Sequence, residues 1–466
     1  MQFLSKNRNH LYLQIGLIVL AFIVSIITPS SYLFYNSPFS PLLVMGLILG
    51  LIFAWFWVRT PVIALYTVLL VILLPLGLFP ASIQSNLNRF LTVVALAAWV
   101  LPVIIQQRRI VFTKPALFML GFLIWCLLTL LWAQNLEAAK NVLGGYTLRF
   151  VLFLILIANE INTRKTLDGL MHTLSLAGWV YIVAGIFTLV IQGYEIGTRL
   201  QILEANENTI GVLFPIFVVG VIWLAVRTPN PRRGFWIFLS FAFVLISFVL
   251  IALSGSRGGA ITWIITMLIL LFWRQTRLWG IFGLLILIST VIIAPLILST
   301  TFNRFLELTE DKVLGGREAL WQAATLLIRD RPFTGVGVGN APYEMMTYIR
   351  MFRSVLGRDS ASTHNPILAV WVDVGLPGLL LYLGVLVSAI YSFIIQYIQC
   401  RKSEVKWLLP YFVLVVSAFC GFFASWIKGG GMELSQSYFL MLALLLIPSC
   451  LNNLSSTNLL SEKCVN

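Results

Sequence analysis

Charge is the scarcest commodity in this chain. Only 10% of its 466 residues are Asp, Glu, Lys or Arg, where an ordinary globular domain carries ~25%. A soluble enzyme and a disordered chain both need more polarity than this, so both are excluded. Histidine occurs three times, and the five cysteines (Cys126, Cys400, Cys420, Cys450 and Cys464) include no C-x-x-C pair. Neither a disulfide framework nor a zinc site can be built from them, and they read as small apolar helix residues. The chain also lacks a D-x-D, a P-loop and any His/carboxylate cluster at metal-ligand spacing. These absences disfavour a soluble sugar-nucleotide transferase and an ATP-driven transporter.

What fills the chain is apolar sequence. Hydrophobic residues make up 59%, mean hydropathy is +0.95, and the apolar runs are long enough to cross a hydrocarbon core of ~30 Å. The runs predict spans at about 11–28, 41–58, 61–79, 90–105, 115–132, 141–158, 173–192, 209–226, 235–253, 259–273, 279–298, 366–398, 407–426 and 435–450. The fold expected is an all-α, polytopic transmembrane helix bundle of about 12–14 spans with both termini cytoplasmic and one large external loop containing short helices. Four segments follow: N-terminal spans at 1–192, central spans with external arginines at 193–298, a large loop at 299–365 and C-terminal spans at 366–466. The first run follows Lys6 and Arg8 without a small-residue cleavage site, so it reads as a retained span.

The net charge of +14 invites a nucleic-acid reading. Its distribution argues otherwise, because the loops on one side hold 17 of the 31 basic residues and only four acids, Glu160, Asp168, Glu404 and Glu462. Nearly all of the excess is thus the positive-inside signal. No basic stripe with interleaved aromatics remains for nucleic acid.

The external loop, from about Ser299 to Thr363, far exceeds an ordinary connection. Within it Glu318 to Ile328 places Leu320, Trp321, Ala324, Leu327 and Ile328 at helical spacing, predicting a short amphipathic helix on the outer leaflet or the bundle, stopped by Asp330-Arg331-Pro332. The following Gly335-Val336-Gly337-Val338-Gly339 frees the backbone for a tight turn or a phosphate cradle; it is no dinucleotide fingerprint, since no strand or ribose acid accompanies it.

Candidate chemistry gathers on the same outer face. His364, beside Asn365 and Pro366, is the one external histidine in this threading, His10 and His172 falling inside; imidazole suits proton transfer near neutral pH, though an isolated histidine also serves simply as an interface residue. Arg199, Arg257 and Arg317 each abut a glycine-rich turn or helix end. Guanidinium binds phosphate oxygens bidentately and keeps its charge, so converging arginines would clamp a pyrophosphate. Arg257 stands where two spans meet almost without a loop, so its charge must be paired or line a cavity. Arg149, inside an otherwise apolar run, reads as snorkelling to the outer headgroups.

Taken in order, Arg199 with Asn206-Glu207-Asn208, Ser256-Arg257-Gly258, Gly316-Arg317 with Trp321, Gly335-Val336-Gly337, and His364-Asn365 leading into Gly375-Leu376-Pro377-Gly378 resemble the O-antigen ligase and polymerase superfamily. The likeness runs from about Arg199 to Leu383. It implies a metal-independent, cofactor-free, inverting glycosyltransferase of the bacterial inner membrane, facing the periplasm. The donor would be a glycan on undecaprenyl pyrophosphate and the acceptor a lipid A core or another glycan, as in lipopolysaccharide biosynthesis. Carried over by motif, His364, Arg257 and Arg199 would be catalytic, and Arg317, Asn365, Asn208 and Ser256 would bind substrate. Two departures bear on the acceptor: Asp373 stands where relatives often have glutamate, and the loop is poor in tyrosine. Alternatives are an O-antigen or exopolysaccharide polymerase, or a transporter such as a lipid-linked glycan flippase or small-anion carrier. A carrier needs ionisable groups near the midplane reachable from both sides, whereas these gather at one face.

Overall fold

The computed structural model describes residues 57, 60–75, 81–106, 110–193, 199–204, 206–228, 231–297, 317–352, 362–402, 406–427 and 432–462. The expected spans at 11–28 and 41–58, except Trp57, lie outside the described residues, as do His10 and Cys464. Every regular element among the described residues is helical, and the bundle is all-α. Among the described residues six helices are long and apolar enough to cross a membrane, and six more are shorter and apolar.

The described chain falls into two units. One contains α1 (Pro61–Ile72) and α2 (Ala81–Gln106). The other contains α3 (Lys114–Thr129), α4 (Leu136–Glu160), α5 (Arg164–Ile191), α6 (Thr209–Arg227), α7 (Arg233–Leu253), α8 (Arg257–Leu270), α9 (Arg277–Ile297), the shorter pair α10 (Arg317–Asp330) and α11 (Ala341–Phe352), and then α12 (Pro366–Lys402), α13 (Leu409–Trp426) and α14 (Gln436–Glu462).

The centre of the larger unit is α6. It is apolar on every side, as a helix surrounded by other helices must be, and α5, α7, α8 and α13 pack around it. In lipid, apolar surface gains little by moving from acyl chains to protein, so close packing holds such a bundle together. Glycine supplies the closeness: a Cβ built on Gly211 of α6 would sit 2.3 Å from the Cα of Gly259 in α8. The two backbones are in contact there. α8 also runs against α13 in the opposite direction, its start beside Ser425 and its middle beside Gly421.

The segment Gly375-Leu376-Pro377-Gly378 interrupts α12, as its composition predicts: Gly375 has φ +68° and ψ −175°. The kink has a long-range partner in the glycine-rich loop. Leu376 N donates to Pro332 O, Val336 N to Val372 O and Gly337 N to Asp373 O, all at 2.8–2.9 Å. A Cβ on Gly375 would lie 2.1 Å from the Phe333 carbonyl oxygen. Here two turns of chain interlock through bare backbone.

The amphipathic helix of the external loop forms as predicted and stops at Asp330. It packs on the bundle: Ala323, Ala324 and Leu327 of α10 are buried with Met345, Met346 and Ile349 of α11, Val336 of the glycine-rich loop and Val372 of α12. Helix α11 is an addition to the sequence expectation. Burying side chains of this size stabilises by ~1.5–3 kcal/mol each where the alternative is water, and that holds this module together.

Candidate functional site

The first group of predicted residues forms around the three-residue turn between α7 and α8. Ser256 is the N-cap of α8 and its hydroxyl oxygen accepts from Gly259 N at 3.1 Å. The same hydroxyl donates to Asn208 Oδ1 at 2.7 Å. Asn208 holds the N-cap position of α6, yet its side chain makes no bond to that helix; it is spent across the helix pair instead. Arg199 completes the group. Its Nε donates to Ser254 O at 3.0 Å and its Nη2 lies 3.4 Å from Asn208 Oδ1. A backbone bond from Leu200 N to Leu253 O pins this strand of chain to the end of α7.

Arg199 also faces a carboxylate. Its Nη1 stands 3.6 Å from Glu207 Oε2, and Gln201 Nε2 donates to the other oxygen of that carboxylate at 2.8 Å. A guanidinium set between two helix ends takes the nearest carboxylate, here one supplied by the tight turn Asn206-Glu207-Asn208. Arg257 opens α8 immediately after the Ser256 cap and is half-buried, so its guanidinium adds to the positive end of the helix dipole.

The second group is built where the external module meets α12. Asn365 is the cap of α12, its Oδ1 accepting from Ile367 N at 3.0 Å and Leu368 N at 3.3 Å. This leaves only the amide NH2 of Asn365 for a ligand. Trp321 Nε1 donates to Thr363 O at 3.0 Å and so ties the first turns of α10 to the residue before His364. His364 has φ +49°, one of two non-glycine residues in the left-handed region among those described, and its N–H reaches Ser362 Oγ at 3.3 Å. Partial burial holds its pKa below the ordinary 6.5, and the Arg317 guanidinium at the start of α10 pushes it further down. The imidazole is therefore neutral, and able to accept a proton, at neutral pH.

Arg199, Asn208, Ser256 and Arg257 are thus brought together, and so are Arg317, His364 and Asn365. Each group has its own bonds. The start of α8 abuts the end of α13, and the short turn after α13 accepts, at Glu433 O, a hydrogen bond from Tyr382 of α12, two turns past the kink.

The glycine-rich loop lies nearby but is no phosphate cradle. Its amides are already engaged: Gly335 N on Arg331 O, Val336 and Gly337 N on α12, Val338 N on Thr129 Oγ1 and Asn340 N on Gly337 O. Asp373, noted in the sequence only as a departure, accepts from Ala341 N at 2.7 Å and caps α11 from a distance. A carboxylate in an apolar helix had to have such a partner; the row of glycines beside it was the available signal. Arg149 donates to Gly145 O, one turn back in its own helix, at 2.9 Å, with its Nε enclosed. His172 bonds Asp168 O and stacks edge-on with Trp236, a structural placement.

No curated protein matches the chain. Residues 241–383 match the family model described as O-antigen ligase, a stretch that holds Ser256, Arg257, Arg317, His364 and Asn365. The resemblance read from the order of the motifs is thereby supported by an independent comparison, and this stretch of the chain is similar to the O-antigen ligase family.

Proposed function

We propose that the chain moves a glycan from undecaprenyl pyrophosphate to an acceptor hydroxyl at the periplasmic face of the bacterial inner membrane. Two observations support this best: an imidazole held neutral at the mouth of α12, and arginines flanking the α8 N-terminus. In this reading His364 takes the proton from the acceptor hydroxyl as its oxygen bonds to the anomeric carbon. The bond from that carbon to the pyrophosphate oxygen breaks on the opposite face, inverting the centre, and lipid pyrophosphate leaves with the electron pair. Arg257, the α8 amides and Arg199 meet the charge that develops on the leaving oxygen. Such pre-placed donors contribute ~3 kcal/mol each in a water-poor site, and a positioned base ~10²- to 10⁴-fold in rate.

Arg199 enters with part of its capacity committed to Glu207, so its share is to hold Asn208 and Ser256 in place as well as to face phosphate. Arg317 keeps His364 deprotonated and offers a second cation on the acceptor side; Asn365 offers its NH2. The reaction so drawn asks for no metal or cofactor, since guanidinium supplies the charge.

The test is transfer in proteoliposomes supplied with a lipid-linked glycan and an acceptor. His364→Ala should insert and fold normally but lose transfer by at least ~10²-fold; full transfer by that variant would remove His364 from the mechanism. The glycan profile of a deletion strain separates ligase from polymerase, because a ligase loss accumulates full-length lipid-linked polymer whereas a polymerase loss leaves single repeat units attached.

A further inference from the structure

At the opposite end of the bundle the same three helices open a groove. Ile269 and Trp273 at the end of α8, Phe393 and Tyr397 late in α12, and Phe412 and Val416 early in α13 enclose an apolar cavity of about 250 Å³. It lies roughly 20 Å along α8 from Arg257, at ~1.5 Å per helical residue, so it belongs to neither group of site residues. The volume falls just below the ~300 Å³ at which pockets begin to hold whole small molecules, and suits a length of hydrocarbon chain. Two features of the groove go beyond apolarity. The indole N–H of Trp273 is buried and has no acceptor, although a tryptophan in a membrane wall ordinarily finds one at headgroup depth. The Arg401 guanidinium lies 5.9 Å from the centroid of the Tyr397 ring that lines the groove.

The rim is strongly basic. Arg274 follows Trp273 directly, and Arg274, Arg277, Arg401, Lys402 and Lys406 are all exposed around this end. In the sequence one acid, Glu404, falls between Lys402 and Lys406, and none between Arg274 and Arg277. Phe272, Ile394 and Val416 beside the groove are exposed, which in a membrane means that they face lipid.

We infer that this groove is a binding site for an anionic phospholipid of the surrounding membrane. One acyl chain lies between α8, α12 and α13, an ester carbonyl accepts from Trp273 Nε1, and the phosphate pairs with Arg401 and Arg274. Basic residues near an anionic headgroup are worth ~1 kcal/mol each, about fivefold in affinity, and two such contacts set the preference over a zwitterionic lipid. The occupant fits both halves of the site: the hydrocarbon needs the cavity and the anionic head needs the rim.

The experiment is native mass spectrometry of the purified full-length protein in detergent, titrated with phosphatidylglycerol or phosphatidylcholine. The wild type should retain one phosphatidylglycerol in clear preference to phosphatidylcholine. Arg401→Gln, at an exposed position, should reduce that retention about fivefold. Val413→Trp, which fills the groove, should abolish it, and Val413→Leu controls for folding. Equal retention of the two lipids, or retention unaltered by either variant, overturns the proposal. So does loss in Arg401→Gln with full retention in Val413→Trp, which would leave a surface charge site without a groove. Displacement of the bound lipid by a polyprenyl phosphate, at concentrations where added phosphatidylglycerol fails to displace it, would assign the groove to a donor chain instead and equally overturn it. None of these readouts depends on glycan transfer, so failure here leaves the proposed reaction standing.

Discussion

Replacing Asp373 with Ala tests how the external module is held over the bundle. The carboxylate accepts from Ala341 N at 2.7 Å and also faces the amides of Gly339 and Asn340. Asn340 N retains Gly337 O as a partner, so the substitution strands chiefly the α11 N-terminal donors. A buried donor without a partner costs ~1–3 kcal/mol, and loss of a helix cap typically ~1 kcal/mol. The two describe overlapping bonds rather than separate ones, so about 2 kcal/mol is the expected loss. At ~1.4 kcal/mol per factor of ten this is about a 30-fold increase in local opening. Hydrogen exchange of the 333–341 amides in proteoliposomes measures it. Because Trp321 of α10 is bonded to Thr363 O beside His364, transfer should fall in the same variant. Asp373→Asn keeps an oxygen in place and should retain most of the protection. If Asp373→Asn exchanged as fast as Asp373→Ala, or if neither exceeded the wild-type rate, the capping argument would be wrong.

Four further outcomes follow from the same geometry. His364 has its pKa below 6.5, first from burial and then from Arg317, so its basic form is complete at neutral pH and is lost as pH falls through the depressed value; Arg317→Gln removes the smaller cause and should move the acid limb of the transfer profile to higher pH without bringing it to that of a free imidazole. The same depression means that the unfolded chain takes up the proton first, so the stability contributed by neutral His364 is present above pH 6.5 and declines below it, a slope that His364→Gln should flatten in denaturation followed across pH. Gly211→Val forces a side chain against Gly259 at 2.3 Å and should cost ~1–3 kcal/mol, seen as a lower midpoint in thermal denaturation in detergent, while Ser256→Ala removes the α8 cap and the Asn208 bond and should lower transfer more than it lowers stability, by ~1 kcal/mol for the cap.

Much of the architecture could be read from local pattern. Apolar runs marked the helices, the spacing of Leu320, Ala324 and Leu327 marked α10, and Asp330-Arg331-Pro332 marked its end, because each of these effects acts within one or two turns. What pattern could not carry were the partners. Glu207 finds Arg199 only when the 199–208 segment folds back. The glycine-rich loop finds α12 across some forty residues, and only the tertiary bonds decide that its amides are consumed by protein rather than left for phosphate. The π-helical stretches Phe150–Leu156 and Thr188–Gln192 likewise have no composition that announces them. The site followed the same division: the residue types and their order were legible, whereas the capping duties of Ser256 and Asn365 became visible only with the helix starts in hand.

The left-handed backbone at His364 imposes an asymmetry on what can ever stand there. Glycine and asparagine would adopt that conformation more comfortably, yet neither brings a titratable ring, while most residues with a bulkier Cβ would resist it. The position thus trades conformational ease for a titratable ring at the mouth of α12.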